Sequence, residues 1–86
     1  YKFIIEGVVQ GVYYRKSIYD NALRHKHKGT IRNLSNGNVE AIANLDSSNF
    51  DNFVNILKQG SHYSKVSNVF SSKIGEKTFK NFTITY

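Results

Sequence analysis

Cysteine is absent from the chain, which excludes a disulfide framework, a thiolate metal site and a cysteine nucleophile. Proline is absent as well, and with it any proline-rich linker. No apolar run approaches the ~18 residues that a membrane-spanning helix needs. No signal-peptide pattern is visible; the first residue is Tyr1 rather than Met, which is compatible with a leader outside the sequence. Internal repeats and low-complexity tracts are also missing. What is present is 86 residues, 40% hydrophobic and 21% charged, the balance of one globular domain rather than of a disordered chain. The expectation is a small, soluble, intracellular domain spanning residues 1–86.

Charge is the first positive signal. Twelve Lys+Arg against six Asp+Glu give a formal charge of +6. That field attracts anions. Nucleic acid, an acidic membrane and small phosphorylated metabolites all fit, and composition does not choose among them.

The element pattern is more specific. Residues 2–9 are rich in β-formers and predict a strand. Gly7 and Gly11 mark a loop after it. From 14 to 25 the spacing turns helical, with Tyr14, Ile18, Ala22 and His25 on one face. A short strand is predicted over 29–34. Asn36-Gly37 then predicts a type I′ hairpin, in which both central residues need positive φ. The next strand, 38–45, alternates Val39, Ala41, Ala43 and Leu45 with Glu40, Ile42 and Asn44. Ser47 or Ser48 is the expected N-cap of a second helix. Its apolar stripe reads Phe50, Phe53, Val54 and Leu57, with Ile56 at the edge and Gly60 as C-cap. Strands over 65–70 and 79–86 complete the series, the last with Phe82, Ile84 and Tyr86 on one face. The order β-α-β-β-α-β plus a terminal strand predicts an α+β, ferredoxin-like sandwich: a mixed sheet with both helices on one face.

Chemistry concentrates in Glu6-Gly-Val-Val-Gln-Gly-Val-Tyr-Tyr-Arg15. A strand ends, a glycine-bearing loop turns, and a helix begins with an arginine at its entrance. Loop N–H groups, the helix N-terminus and an always-charged guanidinium fork can converge on one phosphate. The loop is not a Walker A motif, which ends Gly-Lys-Ser/Thr, nor a dinucleotide fingerprint, whose glycine spacing differs. On spacing alone, an anion cradle and a tight turn with a surface arginine both remain open.

The wider motif series narrows this. Gly7-x-Val9-Gln10-Gly11-Val12-x-Tyr14-Arg15 is followed by Gly29-x-Ile31-Arg32-Asn33, then by Asn36-Gly37-x-Val39-Glu40. The series closely resembles the acylphosphatase family, and the resemblance runs through to Phe82-x-Ile84. It implies a ferredoxin-like fold and hydrolysis of the carboxyl-phosphate bond of acyl phosphates. By position, the family's phosphate-binding arginine falls on Arg15 and its water-orienting asparagine on Asn33. Its backbone cradle falls on Val9, Gln10, Gly11, Val12, Tyr13 and Tyr14. No metal and no cofactor are implied. The expected partners are a small-molecule acyl phosphate and inorganic phosphate, as product and inhibitor, with no nucleic acid and no membrane. The expected state is a cytoplasmic monomer.

The chain departs from the family at the end of the first helix, where Leu-Gly-Leu is His25-Lys26-His27 and a tryptophan position is Thr30. These departures bear on packing rather than on the cradle. His25 and His27 lack a nearby third ligand and read as ordinary imidazoles. Arg24, Lys26 and Lys28 read as a solvated helix end, and Arg32 as facing solvent or a carboxylate. Two other functions share part of this pattern. An RNA-binding module shares the element order, but its base-stacking aromatics are missing from the 38–45 strand. A domain of a larger hydrogenase-maturation protein that uses carbamoyl phosphate would share both fold and cradle.

Overall fold

The computed structural model describes residues 1–86. Its elements are β1 (Lys2–Val8), α1 (Tyr14–Arg24), β2 (Lys28–Asn33), β3 (Val39–Asn44), α2 (Phe50–Gln59), β4 (Lys65–Ser72) and β5 (Phe82–Ile84). The strands form one five-stranded sheet in the order β4-β1-β3-β2-β5. β1 pairs antiparallel with β3 and β4, β2 pairs antiparallel with β3, and β5 lies parallel to β2. Each helix therefore joins two strands of like direction with a third strand inserted between them. This is the expected split βαβ arrangement, with both helices packed on a mixed sheet. No helix is long and apolar enough to cross a membrane.

Strand alternation builds the core. Phe3 and Ile5 of β1, Ile31 of β2, and Val39, Ala41 and Ala43 of β3 are buried with Tyr14, Ile18 and Ala22 of α1 and Phe53, Ile56 and Leu57 of α2. The alanines on the central strand and on α1 keep the layers close. An aromatic chain fills the wider end: Phe53 lies 5.2 Å from Phe3 and 6.0 Å from Phe82, centroid to centroid. On the other side of the sheet, Arg32 Nε donates to Glu40 Oε1 at 3.0 Å across β2–β3, the carboxylate expected for it.

Several local expectations are corrected. The hairpin after β2 is not type I′: of Asn36 and Gly37, only Gly37 has positive φ, 93°. The loop is instead a three-residue one. Gly37 N–H donates to Leu34 O at 3.2 Å and Leu34 N–H to Asn38 O at 2.8 Å. Neither Ser47 nor Ser48 caps α2, whose N-cap is Asn49. The turn before it is organised by Asp46, whose Oδ1 accepts from Ser48 Oγ at 2.6 Å and from the N–H groups of Ser48 and Asn49. Those bonds hold the Asp46 carboxyl below its ordinary range. Ile56, not Val54, belongs to the buried stripe. The last strand is only Phe82–Ile84, so Tyr86 leaves the face of Phe82 and is exposed.

His25 also leaves the buried face, because α1 stops one residue earlier. Lys26 takes the left-handed conformation at φ 61°. His27 N–H then donates to Ala22 O at 2.8 Å and Lys26 N–H to Leu23 O at 3.1 Å, a Schellman closure with lysine where glycine is favoured. The turn swings His27 inward. Its ring stands edge-on to Phe53 at 5.2 Å, and Nε2–H donates to Asn52 Oδ1 at 2.7 Å. A Cβ in this conformation is penalised by about 1 kcal/mol. Lys26→Gly should therefore raise the midpoint of thermal unfolding by about 4–8 °C for a domain of this size. A lowered midpoint would show that the lysine side chain contributes more than its backbone strain costs.

Candidate active site

The site begins at a bulge near the end of β1. Its register with β4 shifts between Glu6 and Gly7. Gly7 has φ 135°, and a Cβ there would lie 2.1 Å from Lys65 O, so only glycine fits this bulge. Buried Val9 anchors the chain as it leaves the strand.

Positive φ then recurs at alternate residues, Gly11 at 72° and Tyr13 at 60°. Such alternation turns successive N–H groups toward one concave side, a backbone nest. The N–H groups of Gly11, Val12 and Tyr13 donate to no backbone carbonyl. Tyr13 is the N-cap of α1, yet no side chain caps that terminus and its first turn carries no acid. The orphan donors of the helix start are therefore unspent. Concave N–H groups plus the positive end of a helix suit an anion.

Side-chain clamps fix this loop to the rest of the molecule. Gln10 Nε2 donates to Leu34 O at 2.7 Å and to Asn38 O at 2.8 Å, tying the loop to the hairpin beside Asn33. Ser61 Oγ donates to Val12 O from the turn after α2. Tyr14, buried, donates its hydroxyl to Leu57 O at 2.7 Å, and burial pushes its phenol well above the ordinary value, so it remains a donor. Of these clamps the sequence marked only the positions of Gln10 and Tyr14, as backbone. Nothing in the sequence marked the Gln10 side chain as a clamp, and nothing marked Ser61.

A cleft of about 410 Å³ opens above the loop. Val9, Gly11, Tyr13, Tyr14, Arg15 and Asn33, all expected at the site, line it together. Gln10 and Val12 do not; they brace it from behind. Lys16, Ile84 and Tyr86 complete the lining and were not expected there. The Arg15 guanidinium makes no hydrogen bond or ion pair within the protein, and the Tyr86 ring lies over it, 5.3 Å from Cζ to centroid. A ring on its face leaves the N–H edges available. Lys16, by contrast, is engaged with Asp20 at 2.7 Å, and that bond raises its pKa. Asn33 sits at the end of β2, paired with Val39, and its Oδ1 is buried without a hydrogen-bond partner. A buried acceptor left unpaired costs about 1–3 kcal/mol, so its persistence calls for a reason. The lining contains no carboxylate, imidazole or thiol.

Known proteins resemble the chain in sequence and fold. The model of the acylphosphatase family matches residues 1–84. An acylphosphatase of Bacillus licheniformis is 34% identical over 87 aligned residues, which take in 100% of this chain and 97% of that one. The crystal structure of acylphosphatase from Bacillus subtilis superposes with a TM-score of 0.90 at 30% identity, covering 99% of this chain and 96% of that chain. Full-length HypF, solved in a phosphate- and nucleotide-bound form, matches at a TM-score of 0.80 and 25% identity, over 99% of this chain but 11% of its own. With the family model covering nearly every residue and a relative aligned from end to end, the chain belongs to the acylphosphatase family, enzymes that hydrolyse acyl phosphates.

Proposed function

We propose that Arg15 and the backbone donors of residues 9–14 bind the phosphoryl group of an acyl phosphate while Asn33 orients the attacking water. The observation that carries this reading is the unspent Arg15 guanidinium, sharing one cleft with an uncapped helix start and an unpartnered asparagine amide.

The chemistry asks little more. An acyl phosphate is a mixed anhydride. Water adds to phosphorus in line with the bridging oxygen, the phosphorus–oxygen bond to the acyl group breaks, and the carboxylate departs with that electron pair. A carboxylate is a good leaving group, so no general acid is required, and the lining has no carboxyl or imidazole to serve as one. The water's proton goes to a phosphoryl oxygen. Catalysis of such a step is mostly positioning and charge stabilisation. The nest and Arg15 hold the equatorial oxygens as charge redistributes. The side-chain amide of Asn33, a residue of the cleft lining, holds the water.

This reading includes hydrolysis without a metal ion, because the lining offers no carboxylate, imidazole or thiol and no group of three or more such side chains is gathered anywhere in the chain. The test is hydrolysis of benzoyl phosphate in excess chelator. Activity should persist, with inorganic phosphate as a competitive inhibitor. Activity lost on chelation and restored by a divalent ion would overturn it. A second reading, in which the chain acts as one part of a larger protein, is favoured by the HypF likeness, where the same fold is a small share of a long chain.

A further inference from the structure

Two exposed aromatic side chains line the cleft, Tyr13 at 74% exposed and Tyr86 at 95%, and a third, Tyr63 at 67%, stands beside Tyr13. Scattered exposed rings need no explanation, but rings gathered at one cleft mark a binding surface. Tyr13 and Tyr86 both line the cleft, together with Ile84. Tyr86 covers the face of Arg15.

Tyr13 is backed in turn. Its ring lies 6.4 Å from that of Tyr63, and Tyr63 meets His62 edge-to-face at 5.2 Å. The turn that carries Tyr63 is rigid. Gly60 ends α2 with φ 58°. Ser61 N–H donates to Ser64 Oγ at 2.8 Å, and Ser64 Oγ donates to Ser61 O at 3.0 Å. Ser61 Oγ fastens the whole turn to Val12 O, on the cradle itself. The ring that supports Tyr13 is thus held by the same hydrogen bonds that fix the cradle.

A phosphoryl group seated on the nest fills a minor part of a 410 Å³ cleft. Apart from Lys16, which is paired with Asp20, the remaining wall that meets the acyl half of the substrate is aromatic and aliphatic: Tyr13, Ile84 and Tyr86. We propose that this rim is an acyl subsite for aromatic acyl phosphates, with Tyr86 on one side and Tyr13, supported by Tyr63, on the other; the proposal rests on the phosphate-cradle reading above. A flat aromatic acyl group gains ring contacts there that an acetyl or carbamoyl group cannot make. Tyr86 and Tyr13 are specificity residues in this account, and Tyr63 is a positioning residue that acts through Tyr13.

The test uses two unreactive isosteres in which a methylene replaces the bridging oxygen: phenacylphosphonate for an aromatic acyl phosphate and acetonylphosphonate for acetyl phosphate. Both should compete with substrate, the phenacyl compound about tenfold more tightly, the scale of one or two good ring contacts. Tyr86→Ala should reduce that preference to about twofold. Tyr63→Ala should reduce it in part, and Tyr63→Phe should restore it, a rescue that loosening of the cradle would not give. Tyr63 and Tyr86 are exposed, so these substitutions leave the core intact. Equal inhibition by the two compounds, or a preference unmoved by either alanine, overturns the acyl subsite while leaving the cradle standing. Failure of both compounds to compete overturns the cradle reading itself.

Discussion

Replacing Arg15 with alanine should lower kcat/KM for an acyl phosphate by about 10³-fold or more, the scale of a transition-state arginine in phosphoryl transfer. The same substitution should abolish inhibition by inorganic phosphate. Both effects follow from one geometry. The guanidinium has no partner inside the protein, and the Tyr86 ring on its face leaves its edges for a tetrahedral anion. Phosphate charge is present in ground state and transition state alike, so binding and catalysis fall together. Arg15→Lys keeps the charge but not the planar fork, and should recover only part of the loss. A variant with alanine at 15 that still binds phosphate as the parent does would move the anion site elsewhere.

Asn33→Ala should separate the two effects. Its kcat should fall about 100-fold, the scale of a single transition-state contact. Inhibition by phosphate should stay within a few-fold of the parent, about what an interaction made mainly in the transition state predicts. The alanine also removes the buried Oδ1 that has no partner, so the fold should lose little stability and could gain some. An active site that sacrifices an unpaired acceptor for positioning has this signature. If kcat and phosphate affinity fell in proportion, Asn33 would be part of the anion site rather than a holder of water.

Much of the fold was legible because its signals are local and mutually consistent. Alternation at Val39, Ala41 and Ala43 marked the sheet face, β-formers over 2–9 marked the first strand, and the helical stripe Tyr14, Ile18, Ala22 marked the first layer above the sheet. The errors fell at element ends, where competing signals are weak. Asn36-Gly37 suits a type I′ turn, but Leu34 and Asn38 pair across one residue more, and only Gly37 then needs positive φ. Asp46 outcompetes Ser47 and Ser48 because its carboxylate reaches both of the next free N–H groups. Lys26 sits where glycine is preferred, and that strained turn exchanged His25 for His27 in the interior.

The candidate site divides the same way. Arg15, Asn33 and the loop between Val9 and Tyr14 could be named because their order along the chain is the resemblance itself. The clamps could not. Gln10 reaches Leu34 and Asn38 across a sequence gap of more than twenty residues, and Ser61 meets Val12 across nearly fifty. Tyr86 reaches Arg15 only because β5 runs parallel to β2 and ends at the cradle side of the sheet. Such contacts belong to the topology and leave no periodicity behind.

The central claim is that anion binding and water positioning are carried by different residues of one cleft. Thermal unfolding of the parent, Arg15→Ala and Asn33→Ala, each with and without a high, fixed concentration of inorganic phosphate, tests it most directly, because a ligand that binds only the folded state raises stability with the logarithm of its concentration over Kd. The account predicts that phosphate stabilises Asn33→Ala nearly as much as the parent, and Arg15→Ala not at all. Loss of phosphate stabilisation in Asn33→Ala as complete as in Arg15→Ala would contradict it.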